Sequence, residues 1–266
     1  MQTAHLVRFG KELNVAKPKF GYENFFTTGT VTVTSEATGF PKENAYDWNT
    51  YDYWKANAAG VVYLTVDYGS ARPADFFGIA AHTLFDNAAT IQCQYSTDNF
   101  SASIVDIGDL VTPVDSSPIF NVFTLTSARY WRLKITSTGA ASAIGVASIG
   151  ASLEMDRAVG SGAMLPKESR MDKIINQTSE GGQFIGRSII RKGVKFSLSF
   201  TIQTLAFARD DWSTFIDHAE VKPFWYSWNP DYDDAVFCWM DGFPMPPKFD
   251  RPNTMTLGMQ LMGLRS

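Results

Sequence analysis

Cysteine and histidine are scarce, with 2 and 3 copies in 266 residues, which leaves little from which to build a disulfide framework or a zinc site. Cys93 and Cys238 sit in separate apolar alternating runs and read as small core residues rather than a bridged or redox pair. His5, His82 and His218 are far apart, with no cysteine or carboxylate at ligand spacing, and neither HExxH nor CxxC occurs. A G-x-S-x-G elbow is missing too. Gly160, Ser161 and Gly162 fall in an irregular stretch, and Gly181 and Gly182 lack both the lysine and the strand–helix context of a phosphate-binding loop. The reading therefore contains no catalytic residue, no cofactor and no metal, and the expectation is a protein that is not an enzyme.

Long apolar runs are also absent, since no stretch of about 20 apolar residues appears. Residues 1–8 hold no apolar segment of signal-peptide length, so the expectation is a soluble product without Sec export or membrane insertion. The sequons at Asn99 and Asn176 then carry no meaning. Positive charge is not in excess: residues 1–154 carry 10 Lys and Arg against 14 Asp and Glu, and residues 155–266 carry 13 of each. That balance excludes a partner held by its phosphate backbone, hence no nucleic acid.

What is present is a 45% apolar chain, enough for a sizeable core. Residues 30–34 alternate Thr and Val, and the signal recurs at 61–66, 76–80, 91–95, 122–125 and 131–135, separated by turn residues such as Gly69, Pro73, Asp86, Asn87, Gly108 and Pro113. Short strands at this spacing predict an antiparallel sandwich, with residues 144–153 as its closing strand. Residues 155–193 change character through glycines and added basic charge. Two readings stay open there: a flexible linker, or an extended arm that orders on a neighbouring subunit through Met164, Leu165, Met171, Ile174 and Ile175.

Beyond the arm, Phe196, Leu198, Phe200 and Ile202 alternate with polar residues as a half-buried strand. Trp212, Phe215, Ile216 and Ala219 then fall on one stripe of a short helix, with Asp210 and Asp211 in its first turn and Pro223 beyond its end. Residues 224–228, 236–240 and 255–261 supply three more strands. The loop carrying Asp231, Asp233 and Asp234 is rich enough in oxygen for calcium but lacks EF-hand spacing, and a solvated acidic turn is the competing reading.

Ala45, Asp47 and Trp48, the strand end Val66-Asp67-Tyr68-Gly69, the exit Tyr95-Ser96-Thr97-Asp98 and the strand Arg129-Tyr130-Trp131-Arg132-Leu133 together resemble the discoidin, or galactose-binding, family of jelly rolls. Trp48 stands where that family has a glycine. The resemblance implies a surface-presenting β-sandwich whose ligand lies on the loops at one end. Candidate carbohydrate-binding residues are then Trp48, Tyr51, Tyr53, Trp54, His82 and Arg129, since sugars stack on rings with wet polar tips. Packing or subunit contact is the alternative use of the same aromatics.

Residues 195–266, in their order of strand, helix, K-P-F-W segment, strand and long final strand, resemble the sandwich domains of bacteriophage distal tail and tail-tip proteins. The expected fold class is mainly β: a discoidin-like jelly roll joined to a second small β-sandwich bearing one helix. The expected domains are an N-terminal segment 1–28 packing on the C-terminal domain through Phe9, Leu13, Phe20, Tyr22, Phe25 and Phe26, a sandwich 29–154, the arm 155–193 and an assembly domain 194–266. The tail resemblance implies a structural virion component at the tail tip, a ring of self-associated copies, hexameric in that family, between tail tube and hub, with the first sandwich outward and a weak binder of host glycans. The alternative is a free carbohydrate-binding lectin or adhesin. A hydrolase would need two carboxylates a few ångströms apart across a sugar, a separation that sequence does not carry.

Overall fold

The structure is a computed structural model that describes residues 16–160, 163–232 and 234–265. Phe9, Leu13 and Asp233 lie outside the described residues. In chain order the strands are β1 (Lys19–Gly21), β2 (Thr30–Val33), β3 (Trp54–Lys55), β4 (Gly60–His82), β5 (Ala89–Ser96), β6 (Val105–Val111), β7 (Ile119–Ser137), β8 (Ala143–Gly150) and β9 (Ser152–Glu154). There follow β10 (Lys173–Thr178), β11 (Phe184–Arg191), β12 (Gly193–Thr204), the helices α1 (Leu205–Arg209) and α2 (Asp211–Ala219), and β13 (Phe224–Ser227), β14 (Val236–Met240), β15 (Met245–Arg251) and β16 (Thr254–Leu264).

The first unit is a mainly antiparallel sandwich in which two long strands, β4 and β7, each serve both layers. The first half of β4 pairs with β2 and with the second half of β7, which in turn pairs with β5, and β5 with β6. The second half of β4 pairs with the first half of β7 and with β8, and β8 with β3. Gly69, at φ +83°, sits in the register shift between Asp67 and Arg72, where a bulge turns the strand from one layer to the other. Leu64, Val66, Trp131, Leu133 and Ile135 of one layer meet Phe77, Ile79 and Ile149 of the other in a closed apolar core.

The second unit is one sheet in the order β12-β16-β14-β13-β1-β9, with β15 alongside β16. One face, including Phe20, Phe196, Phe200, Phe224 and Tyr226, is covered by Trp212, Phe215 and Ala219 of α2. The stripe on α2 buries as its i, i+3, i+7 spacing requires, and Thr204 caps α1 by accepting the Phe207 N–H.

β1 and β9 flank the sandwich in sequence but belong to the second sheet, where Lys19 to Gly21 pair with Trp225 to Ser227 on one side and with Ser152 to Glu154 on the other. The sandwich is thus inserted into the second unit. Its limits correct the boundaries expected at 28 and 154. Tyr22 and Leu153 pack with the second core, whereas Phe25 and Phe26 already belong to the first.

The other face of the second sheet meets the sandwich directly, Trp225 and Phe237 packing on Phe76, Ala80 and Val146. This is why every residue of β8 is buried: one side faces the sandwich core and the other faces the seam. Gly78 is required at that seam, because a Cβ there would fall 2.5 Å from the Trp225 ring. Asp75 fastens it, accepting from Lys19 Nζ at 2.9 Å and from the Ser152 N–H and Oγ, each at 2.7 Å.

Residues 163–192 are not structureless: the stretch before the hairpin buries Pro166 and is tied to the second sheet by Asp172, which pairs with Arg265 at 3.0 Å. β10 and β11 form a two-stranded hairpin apart from both sheets, attached at its base by Arg170 bridging Val194.

Candidate surface site on the sandwich loops

Two exposed aromatic side chains, Tyr51 and Tyr53, lie on the loop between the Lys42–Ala45 turn of 3-10 helix and β3. Asp47 Oδ1 accepts the Asn49 N–H at 2.8 Å, and Asn49 Oδ1 accepts the Tyr51 N–H at 2.9 Å, so two successive Asx turns fix the loop. Asn44 Nδ2 adds a bond to the Tyr53 carbonyl. These bonds hold Tyr51 out, at 86% exposure, and lay the Tyr53 ring flat on Phe40 with centroids 4.9 Å apart and planes 16° apart. The Lys55 ammonium stands 5.9 Å from the Phe40 ring centroid. The result is a stacked ring pair with Asn44 and Lys55 against it and with Tyr51, Asn49 and Asp52 on the same loop, a surface suited to stacking the face of a sugar ring while its hydroxyls meet amide, carboxylate and ammonium groups.

Of the six residues singled out from sequence, only Tyr51 and Tyr53 lie on this surface. Trp54 is a core residue at 0% exposure, its indole N–H donating to the Ser35 carbonyl. Alternation explains the difference: entering β3, adjacent side chains point to opposite faces. Trp48 has moved to the seam, packed on Trp225 and edge-on to His218. Its backbone is left-handed, φ +69°, a conformation rare for a residue with a side chain. Arg129 is committed to Asp67 through two bonds of 2.7 and 2.8 Å, and it holds the Asp67 carboxyl below the usual carboxylate range.

His82 is buried as well, with Nε2–H donating to the Ser117 carbonyl at 2.9 Å while Nδ1 accepts the Leu84 N–H. Burial pushes its pKa down, against the opposing pull of the Ser117 carbonyl and of Asp115 and Asp86. The fold therefore holds His82 neutral. The stability this gives is complete above the unfolded histidine pKa of about 6.5 and is lost as pH falls from there toward the lower folded value, at no more than about 1.4 kcal/mol per pH unit. Urea titrations at pH 7.5, 6.5 and 5.5 should show this slope, reduced in His82→Gln; an unchanged slope in the variant would assign the acid sensitivity to other groups.

Phe40, Asn44, Asn49 and Lys55 were not singled out from sequence. Phe40 had one signal, an aromatic residue wedged between Gly39 and Pro41, a turn context in which a large ring has no core to enter. Among the described residues no group of three or more His, Cys, Asp or Glu side chains converges on a metal-sized point, and no helix is long and apolar enough to cross a membrane. Both cysteines are free and buried, and burial pushes their thiols up.

No family model and no curated protein matches the chain. Matches do occur among solved structures. Chitosan-binding module 1 derived from a chitosanase/glucanase of Paenibacillus sp. IK-5 aligns at 21% identity over 48% of this chain and 98% of its own, with a TM-score of 0.39. The CBM32 of AlyQ, in complex with 4,5-unsaturated mannuronic acid, aligns at 26% identity over 48% and 96%, with a TM-score of 0.38. CpGH89CBM32-5 from Clostridium perfringens, in complex with GalNAc-β-1,3-galactose, aligns at 16% identity over 47% and 96%, with a TM-score of 0.40. Each match spans about half of this chain, and nothing in these three bears on a phage tail.

Proposed function

We propose that the protein binds carbohydrate without transforming it, through the loop platform of its first sandwich. The observation that carries this reading is the flat Phe40–Tyr53 pair beside the fully presented Tyr51, held by Asx turns before any ligand arrives. Such preorganisation lowers the ordering cost of binding, and rings with amide neighbours suit sugars better than charged or purely apolar ligands.

The test is calorimetric titration of the full chain with soluble oligosaccharides, including chitosan, mannuronate, pectin and galactoside fragments. Tyr53→Ala should weaken the bound glycan by about 1–1.5 kcal/mol, roughly tenfold, by removing one stacking ring. Tyr51→Ala should act in the same direction, and Trp54→Phe should leave affinity unchanged. No binding to any member of the panel would refute the reading.

A second reading is favoured by a different observation, the exposed apolar hairpin of β10 and β11. In it the protein is a structural subunit of a phage tail tip, closing into a ring between tail tube and hub, with the sandwich turned outward as the glycan binder. Analytical ultracentrifugation of the full chain tests this: a discrete closed oligomer supports it, and a monomer at every concentration refutes it.

A further inference from the structure

The hairpin is the least satisfied part of the molecule. Every residue of β10 and β11 except Gly186 is exposed, and that set includes Phe184 (67%), Ile185 (65%), Ile190 (56%), Ile189, Ile175 and Ile174. A lone two-stranded hairpin is at best marginal in water, and six large apolar side chains on one projection exceed what a solvated surface carries by chance. It is also basic, with Lys173, Arg187 and Arg191 against the single carboxylate Glu180 of its turn.

A cleft of complementary character lies elsewhere on the same chain. Residues within the 109–122 stretch of the sandwich and Pro230, Asp231 and Tyr232 of the second unit line a half-open cleft of about 250 Å³ at the seam. Its carboxylates are Asp109, Asp115 and Asp231, and its exposed apolar side chains are Val114 (76%) and Tyr232 (60%). Among the described residues neither Asp109 nor Asp231 has an ion-pair partner, and Tyr232 stacks flat on Trp228 at 5.4 Å. The hairpin stands exposed outside this cleft in its own chain.

We propose that the β10–β11 hairpin of one copy seats in this acidic cleft of a second copy. The hairpin face that carries Ile174, Ile189 and Arg187 turns to the cleft, its isoleucines covering Val114 and Tyr232 while Arg187, with Arg191 near the hairpin's base, faces Asp109 and Asp231. This deepens the self-associating reading above and rests on it. Because donor and acceptor are different surfaces, the contact runs head to tail, the kind that closes a ring when its rotation completes a turn. It places the seam between the two units, rather than either unit alone, at the subunit boundary.

Charge reversal tests it on the full chain. Asp109→Arg with Asp231→Arg makes the cleft basic, and Arg187→Asp with Arg191→Asp makes the hairpin acidic. Sedimentation should show each double variant alone associating at least tenfold more weakly than the parent, because like charges then meet. Mixed in equal amounts the two should recover the parent's mass, since each hairpin now finds an opposite cleft on the other species. A hairpin that folds back on its own cleft would gain nothing from mixing. Variants that assemble as the parent does, or a mixture that stays dispersed, would overturn the docking while leaving self-association intact. A parent that never associates would overturn both.

Discussion

Phe20→Ala is expected to cost about 4 kcal/mol, the middle of the range for emptying a buried phenylalanine site. Phe20 is the middle residue of a three-residue strand, wholly buried, and its ring lies 4.7 Å from Phe215, 4.9 Å from Tyr226 and 5.9 to 6.0 Å from Phe224, Phe200 and Trp212. These neighbours come from α2 and from two strands, β12 and β13, of the sheet face it covers, so little of the resulting cavity can collapse. Only three residues of β1 hold its ladder, which makes Phe20 the main apolar anchor of that strand. Urea unfolding followed by far-UV circular dichroism should give the loss, and Phe20→Leu should retain more than half of it. A cost below about 1.5 kcal/mol, the level of a volume-conserving swap, would mean that β1 is dispensable.

Asp75→Ala is expected to cost about 3 kcal/mol or more, because it removes one partner of a buried ion pair and strands the other. The Lys19 and Asp75 side chains are 15% and 10% exposed. Glu154, at 3.7 Å from Lys19 Nζ, is half exposed and compensates poorly. The Ser152 N–H and hydroxyl lose their acceptor in the same substitution. Asp75 belongs to the sandwich, whereas Lys19 and Ser152 belong to the second sheet, so the loss should appear as a loosened seam. Protease cleavage near residues 22–24 should rise in Asp75→Ala and stay low in Asp75→Asn, which keeps an acceptor. If both variants unfold as the parent does, the pair stabilises neither unit.

Much of this architecture was legible from alternation, for a definable reason. Phe196 to Ile202 face a core on one side and water on the other, and such strands write a period of two into the sequence. β8 does not, because its two faces are both buried, and Ala143 to Gly150 reads as a continuous apolar run that periodicity cannot orient. β4 misled in another way. Gly69 and Pro73 read as turn residues between two strands, yet the backbone bulges there and continues as one strand shared by two layers. α2 was visible from its stripe, whereas α1, a single turn, is too short to show one.

The binding platform was legible only in part. Tyr51 and Tyr53 stood out as aromatics in a loop, but Trp54 was grouped with them because nothing in a sequence states which way the next side chain turns. Phe40 comes from a separate turn thirteen positions earlier and joins Tyr53 only by stacking. Trp48 was placed with the sugar-binding loop, and it packs instead against Trp225, a residue in the other unit that no local pattern connects to it.

The chain leaves the second sheet at Gly21 and returns at Ser152, and these two residues face each other across an antiparallel ladder. A two-residue turn would span that gap, so the sandwich sits in its host like a cartridge that a gene can exchange without disturbing the frame. Trp225 and Phe237 limit the exchange. Any substitute cartridge has to bring an apolar underside for these two rings, and one that does not would leave the frame assembled but adhesive.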